Sequence, residues 1–185
     1  MSKKLLLIDA DYIAYKHTES DTLTEAIRKV DEHIKWVLEF SNADAYCLFL
    51  SEGKYFRNDL TVSKKDNKSS YKANRKPSKQ PWIRTIKEYL KSQYGARSYY
   101  RVEADDVTVF FKNKELFYSK TLGISDRGCV ITDGGTNEEI LEKESVETII
   151  VATDKDVLGN TVGKHINPNK KNKDTGEWET VWIDT

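Results

Sequence analysis

The stretch Val102-Glu103-Ala104-Asp105-Asp106 sets three carboxylates within four residues. A strand-like run at 98–102 leads into it, and the apolar run Val107-Thr108-Val109-Phe110-Phe111 follows. Carboxylates this close repel and raise one another's pKa unless a cation sits among them. A divalent metal is the usual remedy, because hard cations take oxygen ligands. The plain alternative is an acidic helix N-terminus, with Asp105 or Asp106 as a cap and both charges suiting that end of the dipole. Two other apolar strands also end in paired acids, which favours the metal. Leu5-Leu6-Leu7-Ile8 runs into Asp9-Ala10-Asp11, and the run at 147–152 leads into Thr153-Asp154-Lys155-Asp156.

Working outward, short apolar runs predict strands at 4–8, 45–50, 98–102 and 147–152. Helical spacing of Ile27, Val30, Ile34, Val37 and Leu38 predicts a helix from Ser20-Asp21 to about Phe40, with one apolar face. A second helix is expected at 81–94, with Ile83, Ile86 and Leu90 inward, Pro81 in its first turn and Gly95 at its stop. A third should run from Asp105 to about Tyr118. The segment 121–144 reads as irregular, with a short hairpin around 129–132. Residues 164–183 read as a C-terminal hairpin turning at Asp174-Thr175-Gly176. Strands alternating with helices predict an α/β fold with a mostly parallel, twisted sheet flanked by helices.

In such sheets ligands sit beyond the C-terminal ends of the strands. Asp9, Glu103, Asp105, Asp106, Asp154 and Asp156 are therefore expected in one cleft. Asp11 alone reads equally as a cap on the turn 12–16. Cys47 reads as a packed core thiol, Trp82 as packing, and His17, His33 and His165 as incidental. Six converging carboxylates suit two divalent ions ~4 Å apart, which together activate a water and stabilise a leaving oxygen of a phosphodiester.

The 185 residues carry 30 basic and 30 acidic side chains, so the formal net charge is zero. The charges are nevertheless segregated. Residues 64–91 hold ten Lys or Arg against Asp66 and Glu88, whereas 138–147 hold five Glu against Lys143. A local basic tract points to one anionic partner at one place. Within it, Tyr71-Lys72-Ala73-Asn74-Arg75-Lys76-Pro77 puts Lys72 and Arg75 on one face of a helical turn beside an aromatic. That mixture suits a phosphate backbone with a base to stack on; the alternative is a solvated lysine-rich loop. Apolar runs fall short of the ~20 residues that span a membrane, so no membrane partner is expected. Cys47 and Cys129 lack metal-type spacing and point to a reduced, intracellular setting, hence a cytoplasmic protein.

Four segments in this order resemble the flap endonuclease and 5′-3′ exonuclease family, which includes the bacteriophage 5′-exonucleases and the 5′-nuclease domain of bacterial DNA polymerase I. They are Leu7-Ile8-Asp9-Ala10-Asp11, Tyr71-Lys72-Ala73-Asn74-Arg75, Val102-Glu103-Ala104-Asp105-Asp106 and Thr153-Asp154-Lys155-Asp156. The resemblance implies a single three-layer PIN-like nuclease domain over residues 1–185. It also implies Mg2+ or Mn2+, two ions per site, and DNA with a free or flapped 5′ end as substrate. Asp9, Glu103 and Asp105 resemble the ligands of the first ion. Asp154 and Asp156 resemble those of the second, with Asp106 supporting either. Lys72 and Arg75 resemble the catalytic contacts to the scissile phosphate, and Tyr71 the aromatic on the terminal base. Lys76, Lys79 and Arg84 continue the basic face toward DNA.

The chain departs from the family pattern at three places. Leu50-Ser51-Glu52-Gly53-Lys54 offers only Ser51 or a shifted Glu52 where the family has an aspartate. The path from Asp106 to Asp154 is longer than the family pattern, so 121–144 looks like an insertion into it. The helix-hairpin-helix segment of the family is absent before Thr185, so a downstream segment or separate subunit is expected to supply it. Two other readings fit parts of the chain. One is a DNA-binding module of this fold with weakened catalysis. The other is a haloacid dehalogenase-type phosphatase, with Asp9 as nucleophile and Asp11 as acid, which leaves 71–75 and 103–106 unused.

Overall fold

The computed structural model describes residues 3–53, 81–113, 122–125, 128–131, 146–159, 161–171 and 178–184. Tyr71, Lys72, Arg75, Lys76 and Lys79, and the turn at 174–176, lie outside them. In chain order the elements are β1 (Lys3–Asp9), α1 (Asp11–His17), α2 (Leu23–Ser41), β2 (Ala45–Phe49), α3 (Ile83–Tyr94), α4 (Ala104–Asn113), β3 (Leu122–Ser125), β4 (Gly128–Ile131), β5 (Val146–Val151), α5 (Lys155–Gly159), β6 (Lys164–Lys171) and β7 (Trp178–Asp184). Five strands form one sheet in the order β2-β1-β5-β6-β7. The pairs β1–β2, β1–β5 and β5–β6 are parallel, and β7 returns antiparallel on β6. A separate antiparallel hairpin, β3–β4, lies in the segment expected to be an insertion.

The alternation of β1 decides which helix lies where, since successive strand side chains face opposite ways. Leu6 and Ile8, with Ile149 and Val151, join Ile13, Val30, Ile34, Val37, Ile86 and Leu90 in one buried cluster beneath α1, α2 and α3. Leu5 and Leu7, with Phe49 and Ile150, join Ala104, Val107 and Val157 on the other face beneath α4 and α5. Both faces of the sheet are therefore covered, which is why 5–8 in β1 and 149–151 in β5 read as unbroken apolar runs. Each such side chain contributes about 1.5–3 kcal/mol by its burial.

Several boundaries differ from expectation for identifiable reasons. α2 begins at Leu23 because Thr22, in extended backbone, caps it by accepting from Glu25 N at 3.2 Å. Thr22-x-x-Glu25 is a capping-box spacing. α3 begins two residues after Pro81 and stops where Gly95 adopts φ 66°. Trp82 does pack, donating its indole N–H to Ser20 O at 3.0 Å. Tyr89 and Tyr94 both donate to Asp31 Oδ1, at 2.8 and 2.6 Å, tying α3 to α2. The expected strand at 98–102 is not formed. Arg97 makes one parallel bridge with Phe49. The chain then turns, with Val102 N donating to Tyr99 O at 3.2 Å and Arg101 at φ 63° in the left-handed region. The sheet is extended instead by β6 and β7. Among the described residues, no helix is long and apolar enough to cross a membrane.

Candidate metal centre

Parallel registers bring several chain segments to one edge. Ile8 pairs with Val151 and Asp9 with Phe49. The residues that follow, Asp11, Asp154 and Ser51, thus leave the sheet side by side. Arg97 is held along β2 by two backbone bonds, Arg97 N to Leu48 O at 2.9 Å and Leu50 N to Arg97 O at 2.8 Å. The turn after it delivers Glu103 to the same edge. Ser51 Oγ accepts from the backbone N of Ala104 at 2.8 Å, in a buried bond. It therefore satisfies one of the orphan donors at the start of α4 and fixes the acidic stretch against the end of β2.

The result is an open cleft of about 750 Å3 whose lining includes Asp9, Asp11, Glu19, Glu103, Asp105 and Asp154. Of the six carboxylates expected to converge, Asp9, Glu103, Asp105 and Asp154 line it. Asp106 does not line the cleft, but one carboxylate oxygen each from Glu103, Asp105 and Asp106 lies within 4.8 Å of the other two. Asp156 is exposed on α5 and is also outside the lining; its backbone N donates to Asp154 Oδ1 at 2.9 Å. Two further expectations are refined. Asp105 does act locally on the first turn of α4, accepting from Asp106 N at 2.8 Å, while it also faces the cleft. Arg84 is exposed on α3 and does not line the cleft.

Asp9 is a strongly perturbed carboxyl of the cleft. It is buried to 9% exposure at the tip of β1. Its carboxyl is pushed up to about 8, first by burial and then by the charges of Asp11, Asp105 and Asp154. The backbone N–H of Asp11, donating to Asp9 Oδ1 at 3.1 Å, opposes this only in part. A buried carboxyl among like charges needs a cation to ionise at neutral pH. The donor set is all oxygen, which fits a hard divalent ion such as Mg2+ or Mn2+. Asp9, Glu103, Asp105 and Asp154 would hold it, with Asp106 beside them.

Asp11 has a different part from the cap considered for it. Its Oδ1 accepts from Ser51 N at 3.2 Å and from Lys87 Nζ at 2.7 Å. Lys87 Nζ also donates to Ser51 O at 2.8 Å and lies 5.9 Å from the Tyr15 ring centre. Lys87 thus clamps α3 onto the ends of β1 and β2. Nothing local in the sequence marks it, because its position depends on how α3 crosses α1. Tyr12, Tyr15, Lys16 and Glu19 also line the cleft; their spacing of three and four along α1 was a readable signal. Glu52 is turned away, paired with Lys91 and accepting from Ser98 Oγ at 2.6 Å. Ser51 alone stands at the cleft where the resemblance places an aspartate.

The histidines read as incidental are in part linked. Tyr12 Oη lies 3.0 Å from His33 Nε2, and His33 Nδ1 lies 3.2 Å from His17 Nε2. His165 is buried beside Thr161 Oγ1, at 2.6 Å from its Nε2. Compared with known protein families and with curated proteins, the chain matches no family model and no curated sequence.

Proposed function

We propose that this chain is a divalent-metal-dependent nuclease of PIN-like fold that hydrolyses DNA phosphodiesters at a free or flapped 5′ end. One observation carries the reading. Asp9, Glu103, Asp105 and Asp154 arrive from three chain segments at one cleft, where burial first, and then the charges of Asp11, Asp105 and Asp154, raise the Asp9 carboxyl to about 8. A carboxyl raised that far is costly to ionise unless the site is used to bind a cation. Bound Mg2+ or Mn2+ would supply a more acidic water and charge neutralisation at the phosphoryl oxygens.

The chain's own residues do the rest. Asp9, Glu103, Asp105 and Asp154 orient and hold, with Asp106 behind Glu103 and Asp105. Asp11, held by Lys87 and Ser51, keeps the strand ends in register. Lys72 and Arg75 are the proposed phosphate contacts and Tyr71 the proposed stacking ring, with Lys76, Lys79 and Arg84 extending the basic face. The phosphatase reading is disfavoured because Asp11, its general acid, is engaged by Lys87 and Ser51 N.

The test is cleavage of 5′-labelled flap DNA with Mg2+ or Mn2+ and with EDTA. Metal-dependent shortening of the labelled strand is expected. DNA that is bound but never cut in either metal would replace the nuclease by a binding module. Indifference to DNA, with release of phosphate from a monoester, would favour the phosphatase.

A further inference from the structure

A second cavity, of about 460 Å3, opens between α1, α2 and the β6–β7 hairpin. It shares two lining residues with the acidic cleft, Lys16 and Asn169, whose side chains meet at 3.4 Å. Tyr12 lines the cleft and its hydroxyl meets His33, which lines the cavity. The two spaces are therefore separated by a wall one side chain thick.

The cavity opens onto a continuous row of rings. Centroids step from His17 to His33 by 5.2 Å, and then to Trp36, Phe40 and Trp182 by 5.7 Å each. The outer three remain 38%, 36% and 45% exposed. Three large aromatics left in water side by side are unusual unless something covers them. The cavity's own lining is net positive, whereas the outermost ring, Trp182, lies among a balanced set, Lys4 and Lys164 with Glu147 and Asp184. Lys29 is paired with Glu25, and Glu32 with Arg28, which leaves Lys16 as the net charge of the lining. Burial also holds His17 and His33 neutral at pH 7, so they offer ring faces rather than cations. Exposed aromatic rings with a cation at one end of the row are features that hold single-stranded nucleic acid, and the volume lies within the ~300–1,000 Å3 of ligand sites.

We propose that this cavity and its ring row form a base-stacking subsite for single-stranded DNA leaving the acidic cleft. The proposal rests on the nuclease reading and deepens it. One base packs on Trp36, the next reach Phe40 and Trp182, and Lys16 meets the phosphate at the wall between the two spaces. The chemistry recognised is an unpaired base face plus a phosphate, without selectivity for one base.

The experiment measures binding of a labelled short oligothymidine by anisotropy, with Ca2+ replacing Mg2+ to prevent turnover. Trp36→Ala should weaken it about tenfold, within the range that loss of one stacked base gives. Trp36→Phe should stay within about twofold, and thermal melts of both variants establish that they fold. An abasic strand of the same length and charge should bind wild type at least as weakly as oligothymidine binds Trp36→Ala, because it loses every stacked base. Equal affinity of wild type for abasic and thymidine strands would overturn the proposal, as would unchanged affinity in Trp36→Ala. So would a Trp36→Ala change confined to self-association in sedimentation, which would assign the rings to a protein contact. Trp36-dependent binding without any metal-dependent cleavage would keep the subsite and sink the hydrolytic reading instead.

Discussion

The acidic cleft and the ring-lined cavity lie on either side of Tyr12, yet they are built on opposite physics. The cleft crowds like charges at the ends of strands, where burial makes them hard to ionise. The cavity keeps its two histidines neutral and places exposed rings on one helix and one edge strand. On the proposed reading the cleft is unstable by itself and a cation would stabilise it, whereas the cavity is stable empty and would gain only contact area when filled. The difference teaches where each region stores its function: in electrostatic strain on one side, in unburied aromatic surface on the other.

The sharpest way to break that contrast is Asp9→Asn. Cleavage should fall by about a thousandfold or more, as expected when an electrostatic contact to the reaction is lost. The metal-free protein should at the same time become more stable. A carboxyl raised to about 8 contributes stability that is full below its unfolded pKa and lost as pH rises towards 8. Asn removes that loss and can still accept from Asp11 N. A rise in Tm of roughly 5 °C in EDTA at pH 8 is expected, read by calorimetry. A lower Tm together with full cleavage would show that the cleft carries no strain.

Lys87→Ala tests the clamp next to the strained group. Lys87 and Asp11 are mostly buried, at 17% and 20% exposure. Removing one partner should cost about 2–3 kcal/mol, seen as a lower urea midpoint at unchanged m-value. A loss below half a kcal/mol would reduce Lys87 to a surface charge.

The cavity should respond to acid rather than base. His33 is lowered to about 3 and His17 to about 4, first by burial and then by Lys16 and other neighbours. The groups facing them are Tyr12, Lys16, Lys29 and Glu32. Both histidines bind protons more readily when unfolded, so stability is present above about 6.5 and lost as pH falls towards 4. Tm should drop by roughly 5–10 °C over that window, and His33→Asn should flatten the curve. The smallest effect belongs to Ser51→Ala, which removes the cap on α4 and should cost about 1 kcal/mol in a denaturant titration.

How legible these regions were follows from how each is encoded. The strand-end acids were readable because Asp9, Glu103 and Asp154 each sit beside a marked element in the chain, so local pattern carried the prediction. The core faces of α2 and α3 were readable for the same reason. The run at 98–102 misled because Tyr99, Tyr100 and Val102 have strand-like chemistry, but tertiary constraint puts Arg101 into a left-handed turn. Lys87 and the Ser51 cap were hidden because their partners are contributed by other segments, 36 or more positions away. The ring row was half visible. Lys29, His33, Trp36 and Phe40 recur at helical spacing on α2, but beside a stronger apolar stripe that marks the core face, and Trp182 joins only through the fold.

The register of β1 has a consequence for the order of assembly. Its partners Lys3 and Val146 are 143 positions apart. Closing a loop of that length is slow, and at ~5–20 residues per second synthesis alone separates them by on the order of ten seconds. In that interval β1 can pair with β2, bringing Asp9 and Ser51 together, while its other edge has no partner. Asp154 reaches the cleft only when β5 docks. The nascent chain therefore carries an incomplete acidic cleft and an open apolar strand edge for the same interval, and one event closes both.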